Sequence, residues 1–121
     1  MADLIRDTQG HQVRILDLGC GPGSLMEALL SALPGAQVWG LDVDPTLLVL
    51  AERRLAPWGD RVGLLQRDLR DPSWAQGLGP VEVVVSATAL HWLTEARLRG
   101  LYGEIGSLLA PGGVFLNADH A

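Results

Sequence analysis

The stretch Ile15-Leu16-Asp17-Leu18-Gly19-Cys20-Gly21-Pro22-Gly23-Ser24 constrains the fold more than any other part of this chain. An apolar run short enough to be a buried strand meets three glycines at alternate positions, and a leucine- and alanine-rich helical segment follows. Glycine reaches backbone conformations that side chains forbid, so the chain turns sharply there and a ligand can approach the backbone closely. Free backbone N–H groups at the start of the next helix are expected to face that ligand. Ser24, with Glu27 three residues on, reads as a capping box for the helix.

Spacing narrows the choice of ligand. A dinucleotide fingerprint requires G-x-G-x-x-G, whereas here the sixth position is Ser24 and Gly23 comes one residue early. A phosphate-cradling P-loop requires a lysine, and the chain contains none. What remains is an acid, Asp17, two positions before Gly-x-Gly-x-Gly.

The rest of the chain reads as alternating strands and helices. Strands are expected at residues 13–18, 37–41, 61–66, 81–86 and 114–118, and helices at 24–33, 45–56 and 95–109. Asp44-Pro45 is an N-cap followed by proline at the first helical turn, and Thr94 can cap the last helix. Residues 71–79 read as a loop with at most one helical turn around Trp74, and Pro111-Gly112-Gly113 as a turn. Gly100, Gly103 and Gly106 fall near one side of the last helix and suggest close packing there. This alternation predicts an α/β fold, a Rossmann-like parallel sheet with right-handed crossovers and helices on both faces. Residues 1–121 are expected to form a single domain.

In such a sheet, ligands sit beyond the carboxyl ends of the strands. The residues expected to converge there are 17–23, Asp42, Asp68, 86–92 and 117–120. Asp42 follows Gly23 by nineteen residues, close to the ~20 expected of a carboxylate that grips a ribose diol. Each carboxylate oxygen can accept one hydroxyl hydrogen bond, which suits that task.

These segments together resemble the class I S-adenosylmethionine-dependent methyltransferases. Asp17 through Gly23 is similar to the family's first motif, in which the glycine turn passes under the methionine part of the cofactor and the acid helps to hold its ammonium end. Val38-Trp39-Gly40-Leu41-Asp42-Val43-Asp44-Pro45 is similar to the second motif, whose first acid holds both ribose hydroxyls. Asp68 in Leu65-Gln66-Arg67-Asp68-Leu69 matches the acid that bonds the adenine amino group, with Leu69 beside the ring. The segment from Val83 through Ser86, Ala87, Leu90, His91 and Trp92 to Leu93 resembles the fourth motif of the small-molecule branch, and Leu109-Ala110-Pro111-Gly112-Gly113 the turn before the fifth strand. The resemblance covers residues 13–118. It implies S-adenosylmethionine as cofactor, held by Asp17, Gly19, Cys20, Gly21, Gly23, Asp42, Val43, Asp68, Leu69 and Ser86, and no metal. It also implies methyl transfer to a small-molecule acceptor. His91 is the candidate catalytic base, and His120 is a weaker one. Ser86-Ala87-Thr88-Ala89 differs from the Asn/Asp-Pro-Pro-aromatic segment of nucleic-acid amino-methyltransferases.

Composition agrees. The 48% hydrophobic content and mean hydropathy of +0.22 exclude a disordered chain. No apolar run approaches the ~18–20 residues of a membrane helix, so no membrane partner is expected. A lone cysteine and a mixed, charged first dozen residues lead us to expect a cytoplasmic location. Net charge is −5, the basic residues are all arginine, and they form no stripe, so nucleic acid is not an expected partner. Arg53-Arg54 reads as a solvated pair.

The family sheet has seven strands in the order 3-2-1-4-5-7-6, and this sequence stops after the fifth, so the resemblance implies strand order 3-2-1-4-5 here. The chain is therefore expected to be a fragment or a minimal, partner-completed version. Its fifth strand, carrying Val114, Phe115 and Leu116, is expected to pair or exchange with another copy. A cofactor-binding module inactive alone is the alternative function, and an NAD(P)-dependent oxidoreductase a further one.

Overall fold

The alternation of apolar residues along the strands places two hydrophobic layers on opposite faces of one sheet. In a strand, neighbouring side chains point to opposite sides. Ile15, Val38, Val83 and Val85 accordingly join one core, while Leu16, Leu18, Leu41 and Val84 join the other. The computed structural model describes residues 1–9, 12–87, 90 and 92–117.

The elements are α1 (Ala2–Gln9), β1 (Arg14–Leu18), α2 (Ser24–Ala32), β2 (Gln37–Asp42) and α3 (Pro45–Leu55), then a 3₁₀ helix (Ala56–Arg61), β3 (Val62–Gln66), β4 (Val81–Ser86), α4 (Glu95–Leu108) and β5 (Leu109–Asn117). The strands form one parallel sheet, as the alternation predicts, in the order β3-β2-β1-β4-β5 that the family resemblance implies. α1, α2 and α3 supply Ile5, Met26, Leu29, Leu30, Ala51 and Leu55 to the first core. α4, with Leu101, Ile105 and Leu108, covers the other face beside Trp74 from the β3–β4 connection.

Several local expectations are corrected. Residues 2–9 form a helix that the sequence reading left out. Ile5 is fully buried, and the Arg6 guanidinium donates to the Ala32 carbonyl at the end of α2 (2.5 Å). α2 is not capped by Ser24. Gly23 occupies the N-cap in a left-handed conformation (φ 92°) with no side-chain cap, and Glu27 pairs instead with Arg54 (3.2 Å). α3 does begin on Asp44, whose carboxylate accepts the Thr46 N–H (2.8 Å), and Pro57 lies within the 3₁₀ helix that follows. The glycines of α4 pack against nothing on the expected scale. A side chain at Gly103 or Gly106 would meet no atom within 4 Å, and at Gly100 it would meet only the flexible Arg97 and Glu104 side chains. The expected turn at Pro111-Gly112-Gly113 is a register break inside β5, where Leu109 pairs with Val81 and Val114 with Val83.

Candidate functional site

The glycine turn is built from three left-handed residues. Gly19, Gly21 and Gly23 have φ of 70°, 55° and 92°, which explains glycine at each alternate position. The turn is tied down on three sides. The Cys20 N–H donates to the Leu41 carbonyl (2.9 Å), and the Gly21 N–H donates to Asp42 Oδ2 (2.8 Å). Arg54 Nε donates to the Pro22 carbonyl (3.1 Å), so this arginine holds the turn rather than lying on a purely solvated face. The Gly21 N–H is thus engaged, contrary to the expectation that such groups are free. Empty space does adjoin the turn, since a Cβ at Gly21 would meet nothing within 4 Å. Gly40 of β2 is what lets the turn sit so close to the sheet. A Cβ there would come within 2.5 Å of Met26 Sδ and 2.7 Å of Cys20 Sγ.

Two acids lie beside this turn. Asp17, at the end of β1, is 1% exposed. Burial, reinforced by the charge of Asp42, pushes its carboxyl up from the ordinary 3.8 to about 7. Cys20 is pushed up to about 12 by burial and then by Asp17 and Asp42, so it stays a thiol. Asp42 ends β2 and bridges two segments, because its Oδ1 accepts the Asp44 N–H (2.9 Å) while Oδ2 accepts that of Gly21.

After β3, Asp68 and Leu69 diverge. The Asp68 carboxylate is gripped by Arg70, whose Nε reaches both oxygens (3.0 and 3.1 Å) and whose Nη2 reaches Oδ2 (2.8 Å). This holds Asp68 below the usual carboxylate range. Leu69 is buried, and its carbonyl accepts Arg97 Nε (2.8 Å). Arg97 in turn pairs with Glu104 (2.5 Å), which accepts the indole N–H of buried Trp74 (2.7 Å). A partly buried network from α4 therefore braces this wall.

A cavity of about 170 Å³ at the carboxyl ends of β1, β2 and β3 is lined by Gly19, Leu41, Asp42, Val43, Arg67, Leu69 and Trp92. Of the residues expected in a site, it gathers Gly19, Asp42, Val43 and Leu69. Cys20, Gly21 and Gly23 form the adjoining turn, Asp17 lies buried at the end of β1, and Ser86 lies buried at the end of β4. Asp68 is turned to Arg70 and is not among the lining residues. His91 and His120 lie outside the described residues. Arg54 and Arg67 were missed by the sequence reading, whereas Trp92 falls within the expected segment 86–92 and lines the cavity. The Arg67 head donates to the Trp74 and Gln76 carbonyls (3.2 and 3.0 Å), leaving its stem to the cavity, and Trp92 is 49% exposed. A larger cleft of about 270 Å³ lies at the opposite end of the strands, beside Arg14, Trp39 and Pro80. Its one charged residue, Arg14, is ion-paired with Glu82. No cluster of metal-ligating side chains occurs among the described residues.

The family described as methyltransferase domain matches residues 15–113. The chain belongs to the class I S-adenosylmethionine-dependent methyltransferases. This methyltransferase chain is similar to the trans-aconitate 2-methyltransferase of an Acidovorax species, with 36% identity over 83% of this chain and 35% of that protein. It is 39% identical to the trans-aconitate 2-methyltransferase of Mycobacterium tuberculosis, over 68% of this chain and 28% of that one. A solved structure of an S-adenosylmethionine-bound amino pentose methyltransferase from Micromonospora echinaspora shares its fold, with a TM-score of 0.81 and 32% identity. That match covers 99% of this chain and 48% of the other. The methyltransferase chain thus spans about a third of the curated relatives it matches and half of this solved one. No helix among its described residues is long and apolar enough to cross a membrane.

Proposed function

We propose that the chain binds S-adenosylmethionine in the crevice beside its glycine turn, and that the protein transfers the methyl group to a small-molecule acceptor in the cytoplasm. The observation that carries this reading is the cavity joining Gly19, Asp42, Val43 and Leu69 at the carboxyl ends of the strands. Its chemistry fits the cofactor, with a carboxylate for a diol, apolar walls for a purine and open space at Gly21 for the adjoining chain.

Bound there, the cofactor supplies an electrophilic methyl group on a sulfonium, and the protein's task is chiefly orientation. A carboxylate offers about four lone-pair sites. Asp42 uses one on each oxygen for the N–H groups of Gly21 and Asp44, which leaves one on each for the two ribose hydroxyls. The same carboxylate therefore sets the turn and the sugar in one register. Asp68 is differently placed. Arg70, through its side chain and its backbone N–H, occupies the oxygens, so a bond to the adenine amino group requires the Arg70 side chain to swing away. That side chain is 68% exposed, and solvent-exposed ion pairs are weakly held. Asp17 is poised near neutrality, and an approaching ammonium favours its charged form. Cys20 and Gly23 shape the turn, Ser86 closes the end of β4, and His91 is proposed as the base toward a hydroxyl or protonated amine.

The relatives' names, trans-aconitate 2-methyltransferase and amino pentose methyltransferase, support a metabolite acceptor. Nucleic acid is a poor fit, because eight of the nine arginines donate to carboxylates or carbonyls within the chain. Calorimetric titration with S-adenosylhomocysteine tests the assignment. Binding should occur, and Asp42→Ala should weaken it by roughly 1.5–3 kcal/mol through loss of charged hydrogen bonds. Binding of NAD with no response to S-adenosylhomocysteine would overturn it.

A further inference from the structure

Trp92 is a large apolar side chain for which neither core has a use. It is 49% exposed, whereas Trp74 is fully buried and Trp39 and Trp58 pack against the two cores. Its position is nonetheless built rather than loose. Leu90 and Leu93 on either side are anchored in the α4-side core, and the Leu93 N–H donates to the Leu90 carbonyl (3.0 Å). Thr94 then caps α4, accepting the Arg97 N–H (3.1 Å), which fixes where the turn ends. This half-exposed tryptophan, flanked by two buried leucines, lines the same cavity as Val43 and Leu69. Val43 is equally exposed, at 49%. A flat apolar ring entering that hollow would bury both at once.

We propose that Trp92 is a further cofactor-binding residue, whose indole stacks on the adenine and forms the outer wall of a slot opposite Val43 and Leu69. This rests on the cofactor reading above and adds a contact from the β4–α4 connection. Such a contact makes the slot a joint product of the two halves of the sheet. Stacking suits the site because the Asp68 carboxylate is engaged by Arg70, so face contact can hold the ring before any edge hydrogen bond forms.

The test is calorimetric titration of the wild type, Trp92→Phe and Trp92→Ala with S-adenosylhomocysteine and with 5′-methylthioadenosine, which carries the adenosine but no amino-acid end. Trp92→Phe should bind both ligands within about threefold of wild type. Trp92→Ala should weaken both by about tenfold, in the lower part of what base–aromatic stacking yields. The tryptophan fluorescence change on binding should disappear in Trp92→Phe. Unchanged affinity in Trp92→Ala, or a loss for S-adenosylhomocysteine alone, would overturn the stacking role while leaving the cofactor assignment intact. A wild type that binds neither ligand overturns the cofactor assignment itself, and the stacking role with it.

Discussion

Replacing Asp17 with asparagine should make the ligand-free protein more stable at pH 8 and no more stable at pH 4. Asp17 is buried at the end of β1 beside Asp42, and its carboxyl is raised from 3.8 to about 7. A carboxyl that holds its proton more tightly when folded costs nothing below its unfolded value. Stability is then lost as pH rises from about 4, and the loss is complete just above the folded value. Each tenfold change in proton affinity corresponds to about 1.4 kcal/mol. The interval from 3.8 to about 7 therefore amounts to about 4 kcal/mol at pH 8, an upper figure because water penetration and relaxation soften buried charges. The asparagine side chain keeps the shape and cannot ionise. Urea denaturation of both proteins at pH 4, 6 and 8 gives the difference directly, and other titrating groups cancel between them. The variant should gain on the wild type by a few kcal/mol across this range, while its affinity for S-adenosylhomocysteine falls. A stability difference that does not change with pH would refute the reasoning.

Gly40→Ala drives a methyl group into Met26 and Cys20 beneath the glycine turn, and should cost ~1–3 kcal/mol in chemical denaturation. Glu104→Ala strands the buried indole N–H of Trp74 and frees Arg97; a loss of about 2–3 kcal/mol is expected, against about 1 kcal/mol for Glu104→Gln, which keeps an acceptor. The outer edge of β5 should promote self-association, seen as a rising weight-average mass in light scattering over a tenfold range of concentration. A constant monomer mass would show that this edge is inert.

The sheet was legible because its determinants are local. A valine-rich run at β4, an Asp-Pro start at α3 and three alternate glycines each specify backbone geometry with little help from distant residues. α1 was not legible, since eight mixed residues form a helix only when Ile5 and Arg6 find the end of α2. Ser24 misled because Gly23, which ends the turn, takes the N-cap position itself and leaves Ser24 as the first residue of the helix. Acids at strand ends could be located by position, yet their partners could not. That Arg70 occupies Asp68, or that Arg54 reaches the Pro22 carbonyl, depends on where long side chains land in three dimensions. The glycines of α4 suggested contact, and only the folded chain shows that Gly103 and Gly106 border open space.

The strand order also bears on how the molecule is assembled in time. β1, β2 and β3 occupy residues 14–66 and follow one another closely, so their pairing closes short loops. The β1–β4 pairing joins Leu16 to Val84 and closes a far longer one, which costs more chain entropy. During synthesis from the N-terminus, Gly19, Asp42 and Leu69 emerge before β4, and one edge of β1 stays bare in the interval. Trp92 emerges only after that edge is closed. The last wall of the crevice therefore arrives with the strand that removes the growing chain's most exposed template for misassembly.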